Sequence, residues 1–205
     1  MSKPKYWEDA KKYLISKDKK LGKLIVKYPD YLKSRKDPFF SLCKSIVGQQ
    51  ISVQAANAVW KKLDAKAKKM KPENILKLTT RQLASCGLSR QKIDYLKILA
   101  KKFHTGEIDI KKLKKMDDDE AIKYLSQVKG IGKWTAEMFL FFNQLRPNIF
   151  PIQDIGLLRA ISVNYKTSYP PTSKELEKYQ KKWSPYCTVA TWYLWRSIDP
   201  VPVNY

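Results

Sequence analysis

Three cysteines and one histidine are all that this chain of 205 residues offers of thiolate and imidazole metal ligands. Cys43, Cys86 and Cys187 stand far apart and form no CxxC pair, which removes zinc-finger spacings and dithiol redox motifs. They are expected to sit as small apolar residues in a reducing compartment, neither bridged nor holding a metal. The single histidine, His104, reads as a helix-end residue and leaves nothing for a His-based metal centre or a Ser-His-Asp triad. Long apolar runs are missing as well: none reaches the length of a membrane span. Met1-Ser2-Lys3-Pro4-Lys5 leads into charged sequence without the apolar region of a secretion signal. The chain is therefore expected to be neither membrane-bound nor secreted. Its place would be the cytoplasm and nucleoid of a prokaryote, or the nucleus of a eukaryote. Arginine is scarce, occurring only at positions 35, 81, 90, 146, 159 and 196.

What the sequence has in abundance is lysine. The formal net charge is +22, a field that attracts polyanions and favours their binding through counterion release, whatever their sequence. Runs such as Lys111-Lys112 and Lys114-Lys115 are equally the mark of solvated helix faces, so the charge permits a nucleic-acid partner without requiring one. Hydrophobic content of 43% fits a folded globular chain with one core or two small lobes.

Nearly every segment has helical periodicity, and alternating β-branched strands are absent, so the fold class is all-α. Phe39, Leu42, Ile46 and Val47 form an apolar stripe that stops near Gly48. Ser52 is a candidate N-cap for the next helix, with Val53, Ala56, Val59, Trp60 and Leu63 on its apolar side. Thr79 with Gln82 and Asp117 with Glu120 are capping boxes. Ser89 opens a helix that ends near Gly106, and Gly87 closes the short helix before it. Lys133 to about Leu145 reads as an unusually apolar helix. Others run from about Asp154 to Val163, Thr172 to Trp183 and Tyr186 to Ser197. Prolines fall between helices or at their starts, as at Pro38, Pro72, Pro147 and Pro151. No Gly/Ser/Pro-rich linker and no internal repeat divides the chain.

Two short stretches carry most of the chemistry. Val128-Lys129-Gly130-Ile131-Gly132-Lys133-Trp134-Thr135-Ala136 reads as a tight hairpin between helices. Gly130 and Gly132 can adopt positive φ and present no side chain, so backbone N–H groups would point outward at a helix N-terminus. Such a nest suits one phosphate oxygen, directly or through a bridging monovalent cation, although the same glycines also suit a plain αα-corner. Phe150-Pro151-Ile152-Gln153-Asp154 then places one carboxylate at the start of the next helix, where local sequence alone reads Asp154 as an N-cap.

Together these stretches resemble the helix-hairpin-helix and Gly/Pro-Asp signature of the DNA base-excision glycosylase superfamily. Ile46-Val47-Gly48-Gln49-Gln50-Ile51-Ser52 and Cys86-Gly87-Leu88-Ser89-Arg90-Gln91-Lys92 resemble its alkylbase branch, the 3-methyladenine DNA glycosylase II type. The similarity runs from about Phe39 to Tyr205. It implies a bilobal helical fold with the active site in the cleft between lobes, one lobe covering about 40–147 and the other about 1–39 plus 148–205. It also implies the compact form, without the N-terminal β domain of some relatives.

The resemblance makes Asp154 the catalytic residue, stabilising positive charge on the sugar and orienting the attacking water. Gln153 stands where many relatives carry a second acidic residue. A cationic alkylpurine leaves without an acid to protonate it, so the want of a second candidate acid fits such a substrate. Trp134 occupies the position where strand-cleaving members carry a Schiff-base lysine, which implies a monofunctional enzyme. Trp134, Met138 and Trp195 match base-pocket positions, although aromatics at helical spacing are also ordinary core. Val128, Gly130, Gly132, Lys133 and Thr135 match the backbone-gripping hairpin. Gln49, Gln50 and Ile51 match the minor-groove wedge that fills the gap left by an everted nucleotide. With Cys187 alone near the C-terminus, no iron–sulfur cluster is expected, nor any cofactor or catalytic metal. The implied protein is a monomer acting on double-stranded DNA that contains alkylated bases. Two other readings stay open: a damage-binding module without turnover, and a bifunctional glycosylase/lyase for oxidised bases.

Overall fold

In the computed structural model, which describes residues 3–34 and 37–199, every regular element is a helix. Contacts divide the described chain into two units. One runs up to Ser34 and resumes at Leu140; the other is the stretch between, ending at Phe139. The expected divisions lay near residues 40 and 147. The observed second division falls inside a helix rather than after it.

The first unit opens with α1 (Trp7–Lys17) and α2 (Lys19–Lys27). A single residue, Asp18, both ends α1 and caps α2, its Oδ1 accepting from the Lys20 and Leu21 N–H groups at 3.0 and 3.1 Å. Trp7, Leu14, Leu21 and Ile25 are buried, and these stripes hold the two helices together.

The middle unit contains α3 (Pro38–Gly48), α4 (Val53–Ala67), α5 (Pro72–Lys77), α6 (Thr80–Ala84), α7 (Arg90–His104), α8 (Ile110–Leu113), α9 (Asp118–Ser126) and the start of α10 (Lys133–Phe142). The caps fall where the sequence puts them. Ser52 and Ser89 accept the Ala55 and Lys92 N–H groups, and both capping boxes close. Each such cap contributes about 1 kcal/mol. α7 is the central helix of this unit, packing on α3, α5 and α6 through buried Ile93, Leu96, Leu99 and Ala100. Gly87 (φ +94°) and Gly106 (φ +76°) turn left-handed after α6 and α7, as helix-ending glycines do. Cys43 and Cys86 are buried and unbridged.

α10 stops three residues earlier than its apolar run suggests. Leu145 takes a left-handed φ of +53° and the Arg146 N–H turns back to the Leu140 carbonyl at 3.0 Å. A leucine in that conformation carries no local signal, unlike glycine. The first unit then continues with α11 (Ile155–Tyr165), α12 (Ser173–Trp183) and α13 (Cys187–Ile198). α13 packs against α1, α2, α11 and α12, and its residues from Cys187 to Leu194 are all buried. A helix apolar all round belongs at the centre of its unit. No helix of the described residues is long and apolar enough to cross a membrane.

Candidate functional site

Asp154 is set in place by the helix that follows it and by α13. Upstream, Thr188 fastens the approach: its hydroxyl donates to the Arg146 carbonyl at 2.5 Å and accepts the Ile149 N–H at 2.9 Å. Its backbone N–H donates to the Pro147 carbonyl at 3.0 Å. The first turn of a helix has N–H groups without intrahelical acceptors, and here they hold the incoming segment. The Asp154 N–H then closes a turn on the Pro151 carbonyl at 2.9 Å.

The side chain of Asp154 caps α11, with Oδ1 accepting the Leu157 N–H at 2.7 Å. The same oxygen accepts the Trp195 Nε1–H at 2.8 Å. The cap expected from local sequence is present, and Asp154 is buried, with 9% of the residue exposed. Gly156 makes the meeting of carboxylate and indole feasible: a Cβ there would stand 3.1 Å from Asp154 Oδ1 and 3.4 Å from Trp195 Nε1. Sequence reasoning missed Thr188 and Gly156, whose roles depend on contacts with α13.

Trp195, read from sequence as a base-pocket face, stacks on Phe142 at 5.9 Å and 9°, leans on Phe141 at 4.9 Å, and donates its indole Nε1–H to Asp154, which restricts where that carboxylate can point. Gln153 is exposed beside it, as are the apolar side chains of Ile152 and Ile155, the latter 70% exposed.

The hairpin lies wholly in the middle unit. After α9, the Val128 N–H donates to the Leu125 carbonyl and the Ile131 N–H to the Val128 carbonyl, at 3.0 and 2.9 Å. Gly130 is left-handed (φ +96°) and sits against the Tyr95 ring, where an added Cβ would stand 2.4 Å from Cγ. Gly132 departs from expectation: it is not left-handed, and its missing Cβ leaves open space. Its service is access rather than conformation. Of the expected gripping residues, Gly132 and Lys133 are exposed and Gly130 half-buried, whereas the side chains of Val128 and Thr135 are interior. Val128 and Thr135 could take part only through their backbone groups. The Val128 and Gly130 carbonyls each accept one hydrogen bond already, so a bridging cation would use their second lone pairs. Among the described residues no group of three His, Cys, Asp or Glu could hold a metal ion.

The expected wedge residues separate. Gln49 turns inward, its Nε2 donating to the Gly130 carbonyl at 2.9 Å and to Thr135 Oγ1 at 3.3 Å. In this arrangement the Gln49 amide is engaged within the unit rather than projecting from the turn. Gln50 and Ile51 are exposed, and Gln50 is left-handed (φ +58°). Lys92 Nζ donates to the Val47 and Gln49 carbonyls at 2.8 and 2.7 Å, and burial lowers its pKa from the ordinary lysine value. A cleft of about 300 Å³ is lined by this turn, Val59, Gly87 to Ser89 and the Lys92–Tyr95 side of α7. The two motifs at 46–52 and 86–92 thus come together in one place.

Trp134 is half-buried on α10 and Met138 is 4% exposed, so Met138 offers little surface to a ligand. Glu137, between them in sequence, is a buried carboxylate that sequence reading passed over. Its Oε1 lies 4.0 Å from Nζ of Lys133, the residue one turn before it.

DNA-3-methyladenine glycosylase 1 of Schizosaccharomyces pombe is 32% identical over 184 residues, covering 87% of this chain and 81% of that protein. The crystal structure of a Bacillus halodurans DNA-3-methyladenine glycosidase superposes with a TM-score of 0.80 at 31% identity, covering 92% of this chain and 88% of that one. A Schizosaccharomyces pombe 3-methyladenine DNA glycosylase in complex with abasic DNA superposes with a TM-score of 0.81 at 27% identity, over 96% of this chain and all (100%) of that one. The family profile matched by residues 43–185 takes in the wedge turn, the hairpin and Asp154, and the chain belongs to the HhH-GPD superfamily of base excision DNA repair proteins.

Proposed function

We propose that the protein is a monofunctional DNA glycosylase that hydrolyses the N-glycosidic bond of alkylated purines of the 3-methyladenine and 7-methylguanine type in duplex DNA. The observation that carries this reading is the Asp154 carboxylate, held at the start of α11 by two N–H donors on one oxygen. Breaking the bond between C1′ and the purine nitrogen leaves positive charge on the sugar, and the bonding pair departs with the base. A carboxylate fixed beside that carbon stabilises the charge as it develops. Water then adds to C1′ and loses a proton to Asp154 or to solvent. An alkylpurine that is cationic in DNA leaves as a neutral base, so the reaction needs no acid opposite the carboxylate.

Hydrolysis inside a duplex requires the nucleotide to be everted. Gln50 and Ile51 would fill the vacated space, while Gly130, Gly132 and Lys133 with the Val128 and Thr135 backbone would hold the phosphate chain, with or without a bridging monovalent cation. Trp134 would face the everted base with a π surface, and Met138 would support it. A protein acting alone, without cofactor, on DNA in the nucleoid or nucleus fits this reading. Support comes from the named activities of the relatives above, carried across a shared family and most of the chain's length.

Purified protein and alkylated genomic DNA test it: free methylated purines identified by mass spectrometry should appear together with an equal number of alkali-labile sites. Borohydride should trap no covalent protein–DNA adduct. Absence of released base would support a binding module instead, and an adduct would support a lyase.

A further inference from the structure

The turn between α3 and α4 is built differently from an ordinary helix end. Gly48 could have closed α3 in the left-handed conformation that glycine adopts without strain, yet it does not. The left-handed residue is Gln50, two positions later and exposed, at a conformational cost of about 1 kcal/mol or more. The carbonyls of Val47 and Gln49 are capped instead by the Lys92 ammonium, brought in from α7. A cation at a helix C-terminus is favourable, and two carbonyl acceptors fix its position.

The same helix face supports the hairpin. Tyr95 lies three residues after Lys92, so both point the same way. Its ring occupies the space left by the missing Cβ of Gly130, and its hydroxyl accepts the Gln91 Nε2–H at 2.7 Å. Gln49 closes the loop: its backbone carbonyl is held by Lys92 and its side chain donates to the Gly130 carbonyl. Wedge turn, α7 and hairpin are thereby connected by three contacts within one unit, while Gln50 and Ile51, at the tip of the turn, are exposed.

We infer that Lys92, Gln49 and Tyr95 are positioning residues that join the wedge turn to the hairpin, so that gripping the phosphate chain and inserting the wedge happen as one rigid act. This rests on the proposed reading of the hairpin and wedge. Inserting side chains between bases costs several kcal/mol of unstacking. A turn free to yield would bend back instead of parting the stack, and binding energy from the hairpin would not reach the wedge.

Lys92→Met, Gln49→Met and the double variant, compared with the unaltered protein, test the inference. The probes are a duplex with an uncleavable abasic analogue, a duplex with 2-aminopurine beside the lesion, and an alkylated duplex for single-turnover base release. Each single variant should bind the abasic duplex within about threefold of the unaltered protein and with the same salt slope. Unstacking amplitude and base release should each fall about tenfold, the expected cost of a lost hydrogen bond to a charged or buried group. The double variant should fall little further, because both changes sever the same linkage. Equal losses in all three measurements that follow the melting temperature would reduce the network to a structural role and overturn the inference, as would unchanged unstacking. Failure of the unaltered protein to release any base would contradict the glycosylase reading alone, since binding and unstacking remain measurable.

Discussion

At the scale of single residues, the proposed reaction centre is defined by an arrangement around one oxygen. Asp154 Oδ1 receives a backbone and an indole N–H, and both donors restrict where the carboxylate can point. Trp195→Phe removes the Nε1–H donor together with part of the indole that packs on Phe141 and Phe142. It should lower the single-turnover rate by about tenfold, beyond what its loss of melting temperature explains, because the carboxylate loses an orienting donor. A rate that fell only in proportion to stability would assign Trp195 to the core. The hairpin glycines offer a matched pair. Gly130→Ala must place a methyl into the Tyr95 ring at a φ of +96°, and should cost about 2 to 4 kcal/mol in urea denaturation. Gly132→Ala meets nothing within 4 Å; its stability should change by less than about 1 kcal/mol while affinity for duplex DNA falls.

At the scale of elements, Asp18 shows how far a single side chain can organise helices. It caps α2, accepts the Tyr165 hydroxyl and Trp183 Nε1–H at 2.9 and 3.1 Å, and meets Lys182 Nζ at 2.8 Å. It thereby ties the α1–α2 junction to α11 and α12. Burial pushes its pKa upward, but the hydrogen bonds from Lys182, Trp183, Leu21 and Tyr165 outweigh that and hold it below the ordinary carboxylate value. A carboxylate depressed on folding stabilises the protein above its unfolded pKa, near 3.9, and the contribution fades as pH falls below that value through the folded one. Asp18→Asn should therefore cost about 2 to 3 kcal/mol at neutral pH and flatten the acid limb of stability against pH.

Elements of this kind were only partly legible in the sequence. The caps at Ser52, Thr79, Ser89 and Asp117 could be read directly, because a cap is a local hydrogen bond between residues three apart. The end of α10 could not, since Leu145 turns left-handed under tertiary constraint. The site divided in the same manner. Asp154 and the hairpin lie in contiguous motifs and were visible. The inward turn of Gln49, the donor role of Trp195 and the burial of Glu137 arise from packing between segments distant in sequence.

At the scale of the whole molecule, charge governs how DNA is met. A formal charge of +22 gives a sequence-independent attraction that salt should weaken, with log affinity falling by about 0.9 per phosphate contacted for each unit of log salt concentration. Damaged and undamaged duplexes should share nearly the same slope, because the lesion adds contacts to a base and not to phosphates. Fluorescence anisotropy across a salt series would measure it, and binding indifferent to salt would rule out a backbone-led encounter. In the proposed reaction, what such binding leads to is decided at Asp154. Asp154→Asn preserves the side chain's shape and an acceptor for Leu157 and Trp195 while removing its charge. Released 3-methyladenine and 7-methylguanine should therefore drop about a hundredfold or more in single-turnover assays while duplex affinity persists. Undiminished release by that variant would contradict the account.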